Sequence, residues 1–504
     1  MSDAPRFAKN ISYNLLGQAA PAVVHLISIP LLIRGLGKDR FALLTVIWVL
    51  IGYSTILDLG IPRSLTGLVA ARIGAKRDEE VPAIVGTGLF VLTVLGVFLM
   101  VALVLIRGFV VRDLLKVPAD LQLEASRAFV ITALCLPLVV TTGGIRGALE
   151  GQHRFDLVNL LRTPLNVFML LGPLAVVQFS RNLGFVIGSL LVGRVVGLIA
   201  HWVIYFRSVS PAHAPVVQLG GVRAILNSAG WMTVANLAGG AMSQFDRFAV
   251  GAFFSLTAIT YYATPSDTVT RLLILPTAMM AVGFPAFSEM FARDREEAGR
   301  WFGRATVALL FVLGPLIALG FIYTPEALRL WLGEEFVRQS GWITRILIIG
   351  VFANGLAAAP FALLQGAGRA DLTGKLQLLE VPIYVGSFWL LTRQFGLLGV
   401  ALAWTVRVVI DAALNFGLAG RLVRGTAARL GRVGIAIAVL VPIVVLASSA
   451  TSPLLKATLS VAVLLVFLWL ALFLVLEKSE RLSAGQSWFS LLRWAGLKSN
   501  GSSK

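Results

Sequence analysis

Six arginines (Arg34, Arg63, Arg194, Arg247, Arg271 and Arg407) and four aspartates (Asp58, Asp246, Asp267 and Asp411) stand within or at the ends of long apolar stretches of this chain. Near the centre of a bilayer an arginine costs ~2.5–3.5 kcal/mol on insertion scales, so each needs a partner or a water-filled cavity. Charges kept at such a cost suit the holding of a cargo or the relay of an ion. Arg271 lies about fourteen residues into the eighth apolar stretch, near mid-depth. Arg63 sits in the inner half of the second stretch. Arg247 falls roughly two turns from the outer end of the seventh, and Arg34 occupies the matching depth on the first.

Spacing gives some of these charges a purely structural explanation. Asp267 with Arg271, and Arg407 with Asp411, are four residues apart and can neutralise one another along one helix face. Arg194 has no carboxylate four residues on, and Arg34 can snorkel to the outer interface. Asp246 and Arg247 are neighbours that do not face each other, which favours a site. Asp58, Gly60 and Pro62 predict a kink beside Arg63, while Pro265, Pro276 and Pro285 interrupt the eighth stretch. Broken helices beside charges fit a cargo site better than passive packing. Tyr13, Trp48, Tyr53, Trp231, Tyr261 and Tyr262 read as interface or packing residues, with stacking on sugar rings as the alternative. His25 reads as a satisfied interhelical histidine rather than a proton relay.

The elements that must position these residues are membrane spans. Apolar runs long enough to cross ~30 Å of hydrocarbon fall at about 10–34, 41–70, 82–106, 124–149, 155–179 and 184–206. A second set follows at about 222–254, 257–289, 301–324, 340–365, 372–392 and 396–420, with two more at about 430–449 and 453–476. The two sets repeat: Asn14, Gly17 and Arg34 return 213 residues later as Asn227, Gly230 and Arg247. Arg181 and Gly184 return at an offset of 212 as Arg393 and Gly396, and Arg194 returns at 213 as Arg407. An even number of spans per repeat makes the repeats parallel. The expected fold is therefore an all-α polytopic membrane protein of about 14 helices. Its expected domains are an N-lobe (1–207), a linker rich in Pro and Gly (208–221), a C-lobe (222–421), a final helix pair (422–476) and a cytoplasmic or interfacial tail (477–504).

A soluble protein with a net charge of +18 would suggest nucleic acid, but 57% hydrophobic residues and a mean hydropathy of +0.86 place this chain in a bilayer. Its basic residues orient helices instead. Of 43 Lys and Arg, 25 fall on the face holding the N-terminus and 13 on the other, which predicts cytoplasmic termini. The lone Cys135 permits no intrachain disulfide. The stretch 108–122 is expected along the outer membrane surface, and the tail around Trp488 as an interfacial helix. Phosphate-loop, zinc-site and nucleophile-elbow spacings are lacking, so no enzyme, metal or cofactor is indicated.

The run Asn10 to Gln18, the run Ile29 to Gly37, the stretch Trp48 to Gly60, and Phe245-Asp246-Arg247-Phe248 followed by Tyr261-Tyr262-Ala263 resemble bacterial oligosaccharide flippases. These form the polysaccharide transporter (Wzx-type) branch of the multidrug/oligosaccharidyl-lipid/polysaccharide superfamily. The resemblance implies two six-helix lobes around a cationic cavity, with alternating access to the two leaflets of a bacterial inner membrane. It implies that Arg34, Arg63, Arg247 and Arg271 line the cavity, with Arg194, Arg407 and Asp411 less firmly placed. The implied cargo is an undecaprenyl-diphosphate-linked oligosaccharide, and arginine suits diphosphate because its planar fork binds oxygens in pairs. Coupling to H⁺ or Na⁺ through Asp58, Asp246 or Asp267 stays open beside drive by the membrane potential. Implied partners are membrane lipids and the glycosyltransferases or polymerase of the same pathway. A multidrug antiporter coupled to H⁺ or Na⁺ is the alternative, although its pocket should be acidic. A membrane glycan polymerase or ligase is a second, although no connection is long enough for a catalytic loop.

Overall fold

The computed structural model describes residues 23–152, 154–208, 215–218, 222, 245–423 and 427–470. Within these, the side chains of 53–57, 155, 370, 427–429 and several residues between 281 and 292 are not described. Asn14, Gly17, Tyr13, Asn227, Gly230, Trp231, the Tyr53 side chain, most of the 208–221 linker and the tail around Trp488 lie outside the described residues. What is described is helical and free of strands, as expected for an all-α membrane protein.

The first half runs α1 (Val23–Leu36), α2 (Lys38–Leu57), α3 (Ile61–Gly74), α4 (Val81–Phe109), α5 (Gln122–Gly151), α6 (Phe155–Val177) and α7 (Leu183–Ser208). Helical residues 245–253 form α8, followed by α9 (Leu256–Thr270), α10 (Ile274–Arg293), α11 (Arg295–Ile322) and α12 (Thr324–Leu332). The chain continues as α13 (Glu334–Gly366), α14 (Ala370–Phe395), α15 (Leu397–Leu422), α16 (Ala427–Ser449) and α17 (Pro453–Leu470). Among the described residues, nine helices are long and apolar enough to cross a membrane. The short α12 sits between two expected spans, and Pro137, Pro173, Pro315 and Pro360 lie inside helices without ending them. The stretch expected along the outer surface holds a five-residue π-turn (Val110–Leu114) and a three-residue 3₁₀ turn (Ala119–Leu121).

Two expected breaks have a clear physical cause. Between α2 and α3 the chain turns through left-handed conformations at Leu59 (φ 55°) and Gly60 (φ 68°), and the Asp58 carboxylate accepts the Gly60 N–H at 2.9 Å. Pro62 then occupies the first turn of α3, where a missing N–H does no harm. In the eighth span the break is a single 3₁₀ turn, Arg271–Leu273. Pro276 cannot donate to the Leu272 carbonyl, which accepts from Ile274 N–H instead. Pro265 frees the Tyr261 carbonyl in the same way, but there the Ser340 hydroxyl donates to it at 2.7 Å and α9 continues. Of the three prolines expected to interrupt this span, only Pro276 lies at its break.

The chain divides into two compact units. One comprises Met1–Ile274, Trp331–Ile343 and Gly374–Arg407; the other comprises Leu275–Leu330, Thr344–Thr373 and Val408–Lys504. In the first, Val69, Val85, Leu149 and Tyr205 centre an apolar core, and Gly147 lets α5 approach α3 so closely that a Cβ would stand 2.3 Å from the Pro62 carbonyl oxygen. Thr66 tightens that contact by donating to the Gly147 carbonyl at 3.0 Å. The linker residue Gln218 exchanges hydrogen bonds with Thr87 of α4. In the second unit, Phe302, Leu310, Leu363, Val423 and Phe467 form the core.

Candidate functional site

Of the charges that sequence spacing paired along single helices, Asp267 and Arg407 are instead paired across helices. Asp267 binds the Arg247 guanidinium rather than Arg271. Arg407 meets Glu380 of α14 at 3.5 Å and lies over the Tyr384 ring, 5.4 Å from its centroid. Asp411 accepts from Asn415 Nδ2 at 2.7 Å instead of meeting Arg407. An i, i+4 spacing makes such a pair available, but a guanidinium long enough to reach the next helix takes a carboxylate there instead.

Asp246 and Arg247 point to different partners, as adjacent helical residues must. Asp246 is 4% exposed and accepts from the Tyr262 hydroxyl, while its other oxygen takes the Arg247 backbone N–H at 3.0 Å. Arg247 is 8% exposed. Tyr384 packs edge-on against Phe245 and Phe388, so α8, α9 and α14 converge at these side chains. Two residues absent from the sequence-based site, Glu380 and Tyr384, therefore belong to it. A carboxylate inside the eleventh apolar stretch was the available signal for Glu380.

Arg271 stands at the 3₁₀ break, half-buried, and no carboxylate or hydrogen-bond acceptor engages it among the described residues. His25 of α1 is 4% exposed, neither ring nitrogen has a hydrogen-bond partner among the described residues, and Arg271 and Arg247 are the charges acting on it. The partner expected for it from sequence is not found among the described residues. Three guanidiniums here (Arg247, Arg271, Arg407) accompany three carboxylates (Asp246, Asp267, Glu380), so the expected excess of arginine over carboxylate is balanced in this cluster, and Arg271 is its cation without a carboxylate partner among the described residues.

The remaining predicted residues lie elsewhere. Asp58 is buried at the α2–α3 break, with Arg63 and Arg146 as its neighbouring charges, and Arg63 itself is exposed. Arg194 of α7 neighbours Cys135, and its Nε is buried without a partner among the described residues. Arg34 lies in a cleft with Arg181. Nine residues of helix place Arg34 on the face of α1 opposite His25.

A second polar group, which sequence reasoning missed, ties the start of α2 to later helices. Lys38 and Tyr261 both engage the Glu335 carboxylate, and the Lys38 carbonyl accepts from Thr260 at 2.8 Å. Burial works against the Lys38 ammonium, yet its bonds to Glu335 and Tyr261 outweigh that and hold its pKa above the ordinary lysine value. Trp331 donates to the Leu26 carbonyl at 2.7 Å, and Arg40 meets Glu124 at 2.9 Å.

Residues 7–291 match the model of a family described as polysaccharide biosynthesis protein. A Shigella flexneri protein named "Putative O-antigen transporter" is 29% identical over 409 residues, covering 81% of this chain and 96% of its own length. A lipid II flippase in an inward closed conformation superimposes with a TM-score of 0.68 at 13% identity, over 90% of this chain and 97% of that one. A multidrug resistance MATE family transporter of the MOP superfamily, inward-facing, gives 0.65 at 13% identity, over 81% and 97%. At such identities the two structures establish the fold alone, that of a multi-pass membrane protein.

Proposed function

The chain belongs to the polysaccharide biosynthesis protein family, and from that premise we propose that it is a flippase for an undecaprenyl-diphosphate-linked oligosaccharide. It would carry this lipid from the cytoplasmic to the periplasmic leaflet of a bacterial inner membrane by alternating access, with both termini cytoplasmic and the lobes 1–207 and 222–421 as moving bodies. The carrying observation is Arg271, a cation at a helix break without a carboxylate among the described residues, beside His25 and Arg247. A guanidinium kept unneutralised at depth is provision for an anion that arrives later. Arg63 and Arg34 would meet the same lipid on its way in and out. Release on the outer side would require the Lys38–Glu335 contact to part.

Two negative charges moving outward across roughly 150 mV, negative inside, release on the order of 7 kcal/mol. The potential can therefore drive export without ATP, and Asp246, buried and hydrogen-bonded, remains the best placed of Asp58, Asp246 and Asp267 for a coupled ion. In vesicles reconstituted with the protein and a fluorescent undecaprenyl-diphosphate saccharide, a potential negative on the donor side is expected to speed translocation severalfold. An unchanged rate on imposing that potential would reject this drive. The buried carboxylates also admit an H⁺- or Na⁺-coupled drug antiporter, which dye efflux from the same vesicles would reveal. Of the cluster's carboxylates, Asp267 and Glu380 already serve arginines.

The last two helices offer a place for the prenyl tail. Leu440 and Val444 of α16, Val463 and Phe467 of α17, and Leu310 and Gly314 of α11 line an apolar cavity of about 230 Å³. A Cβ on Gly314 would lie 2.5 Å from the Phe467 ring. Gly314→Leu is therefore expected to close the cavity and slow translocation of the full-length prenyl lipid more than that of a short-chain analogue. Equal slowing of both would remove the tail from this cavity.

A further inference from the structure

Arg34 and Arg181 share a polar cleft of about 410 Å³ with Gly35, Gln178 and Ser180, within the size range of small-molecule sites. Both guanidiniums are exposed, neither has an ion-pair or hydrogen-bond partner among the described residues, and no carboxylate lines the cleft. The cleft brings the C-terminal end of α1 together with the α6–α7 connection, two places that the charge pattern assigns to the outer side.

The internal repeat explains why these two arginines are free. Their counterparts are Arg247 and Arg393. Arg247 is bound by Asp267, and Arg393 lies 4.0 Å over the Trp389 ring. At the same offsets the first half has Ser54 in place of Asp267 and Val177 in place of Trp389. A serine has no carboxylate with which to form an ion pair, and a valine has no π-face for a guanidinium to lie on. The positions are retained while both intramolecular partners are lost, and Val177 itself lines the resulting opening.

We propose that this cleft binds the phosphate of an anionic lipid on the outer face, through the paired forks of Arg34 and Arg181. The ligand is either the cargo's diphosphate as it leaves or a phospholipid headgroup, and both present the same oxyanion chemistry. Only the outward placement rests on the flippase orientation; the binding itself does not.

The test is a ligand titration of the full chain in detergent, followed by thermal unfolding. It is run in an Arg271→Gln background, so that binding at the buried cluster is not mistaken for binding here. Inorganic pyrophosphate and short-chain phosphatidylglycerol are the probes, with the uncharged short-chain diacylglycerol as control. Saturable stabilisation by one or both probes is expected, weakened about tenfold for each arginine neutralised in R34Q and R181Q. If the double variant does not accumulate, the single variants answer the question. A response to pyrophosphate alone identifies cargo diphosphate, and a response to phosphatidylglycerol identifies a headgroup. No saturable response to either, or equal affinity after neutralisation, overturns the proposal.

Discussion

Arg271→Gln is expected to lower glycan export in a strain lacking the native gene by about a hundredfold or more, while leaving the amount of membrane-inserted protein unchanged. The size follows from the loss of two charge-assisted hydrogen bonds, each worth roughly 1.5–3 kcal/mol. Folding should tolerate the change because no intramolecular partner depends on Arg271 among the described residues. Removing a half-buried charge that has no partner among the described residues relieves a desolvation cost rather than creating one. Arg271→Lys should recover only part of the activity, since an ammonium keeps the charge but not the fork. Wild-type export by Arg271→Gln would make this residue structural.

Asp267→Asn is expected to act in the opposite sense, on stability first. It would leave the Arg247 guanidinium buried beside a neutral amide, and breaking a buried pair from one side costs about 3–5 kcal/mol. Accumulation and the thermal unfolding midpoint in detergent should both fall. The double variant Arg247→Met with Asp267→Asn should regain most of the midpoint, because replacing both members of a buried pair is often neutral. If Asp267→Asn alone unfolds at the wild-type temperature, the pair does not carry that energy. This contrast separates the two arginines: Arg247 is held by the protein, and Arg271 is held ready.

The spans were legible in the sequence because each buries an apolar run of sufficient length, and hydropathy reports that directly. The break at Asp58–Gly60 was legible too, since an aspartate that can accept a turn N–H, a glycine and a proline occur in the order the turn requires. Pro265 was not readable in the same way. Whether a proline breaks a helix depends on who satisfies the carbonyl it orphans, and Ser340 lies 75 positions away. The site was read in its members more than in its pairings. Spacing within one helix suggests Asp267 with Arg271 and Arg407 with Asp411, yet the long side chains of Arg247 and Arg407 reach Asp267 and Glu380 on other helices. His25 shows the same limit, because an apolar helix does not reveal that the histidine on it finds no hydrogen-bond partner among the described residues.

The most direct measurement is the affinity of the purified chain for undecaprenyl diphosphate against that for uncharged undecaprenol, in wild type and in Arg271→Gln. Diphosphate should bind at least about tenfold more tightly than the alcohol to the wild type, and most of that preference should disappear in the variant. Equal affinity for the two lipids, or a preference untouched by the substitution, would contradict the assignment of Arg271 as the receptor for a phosphate-bearing lipid.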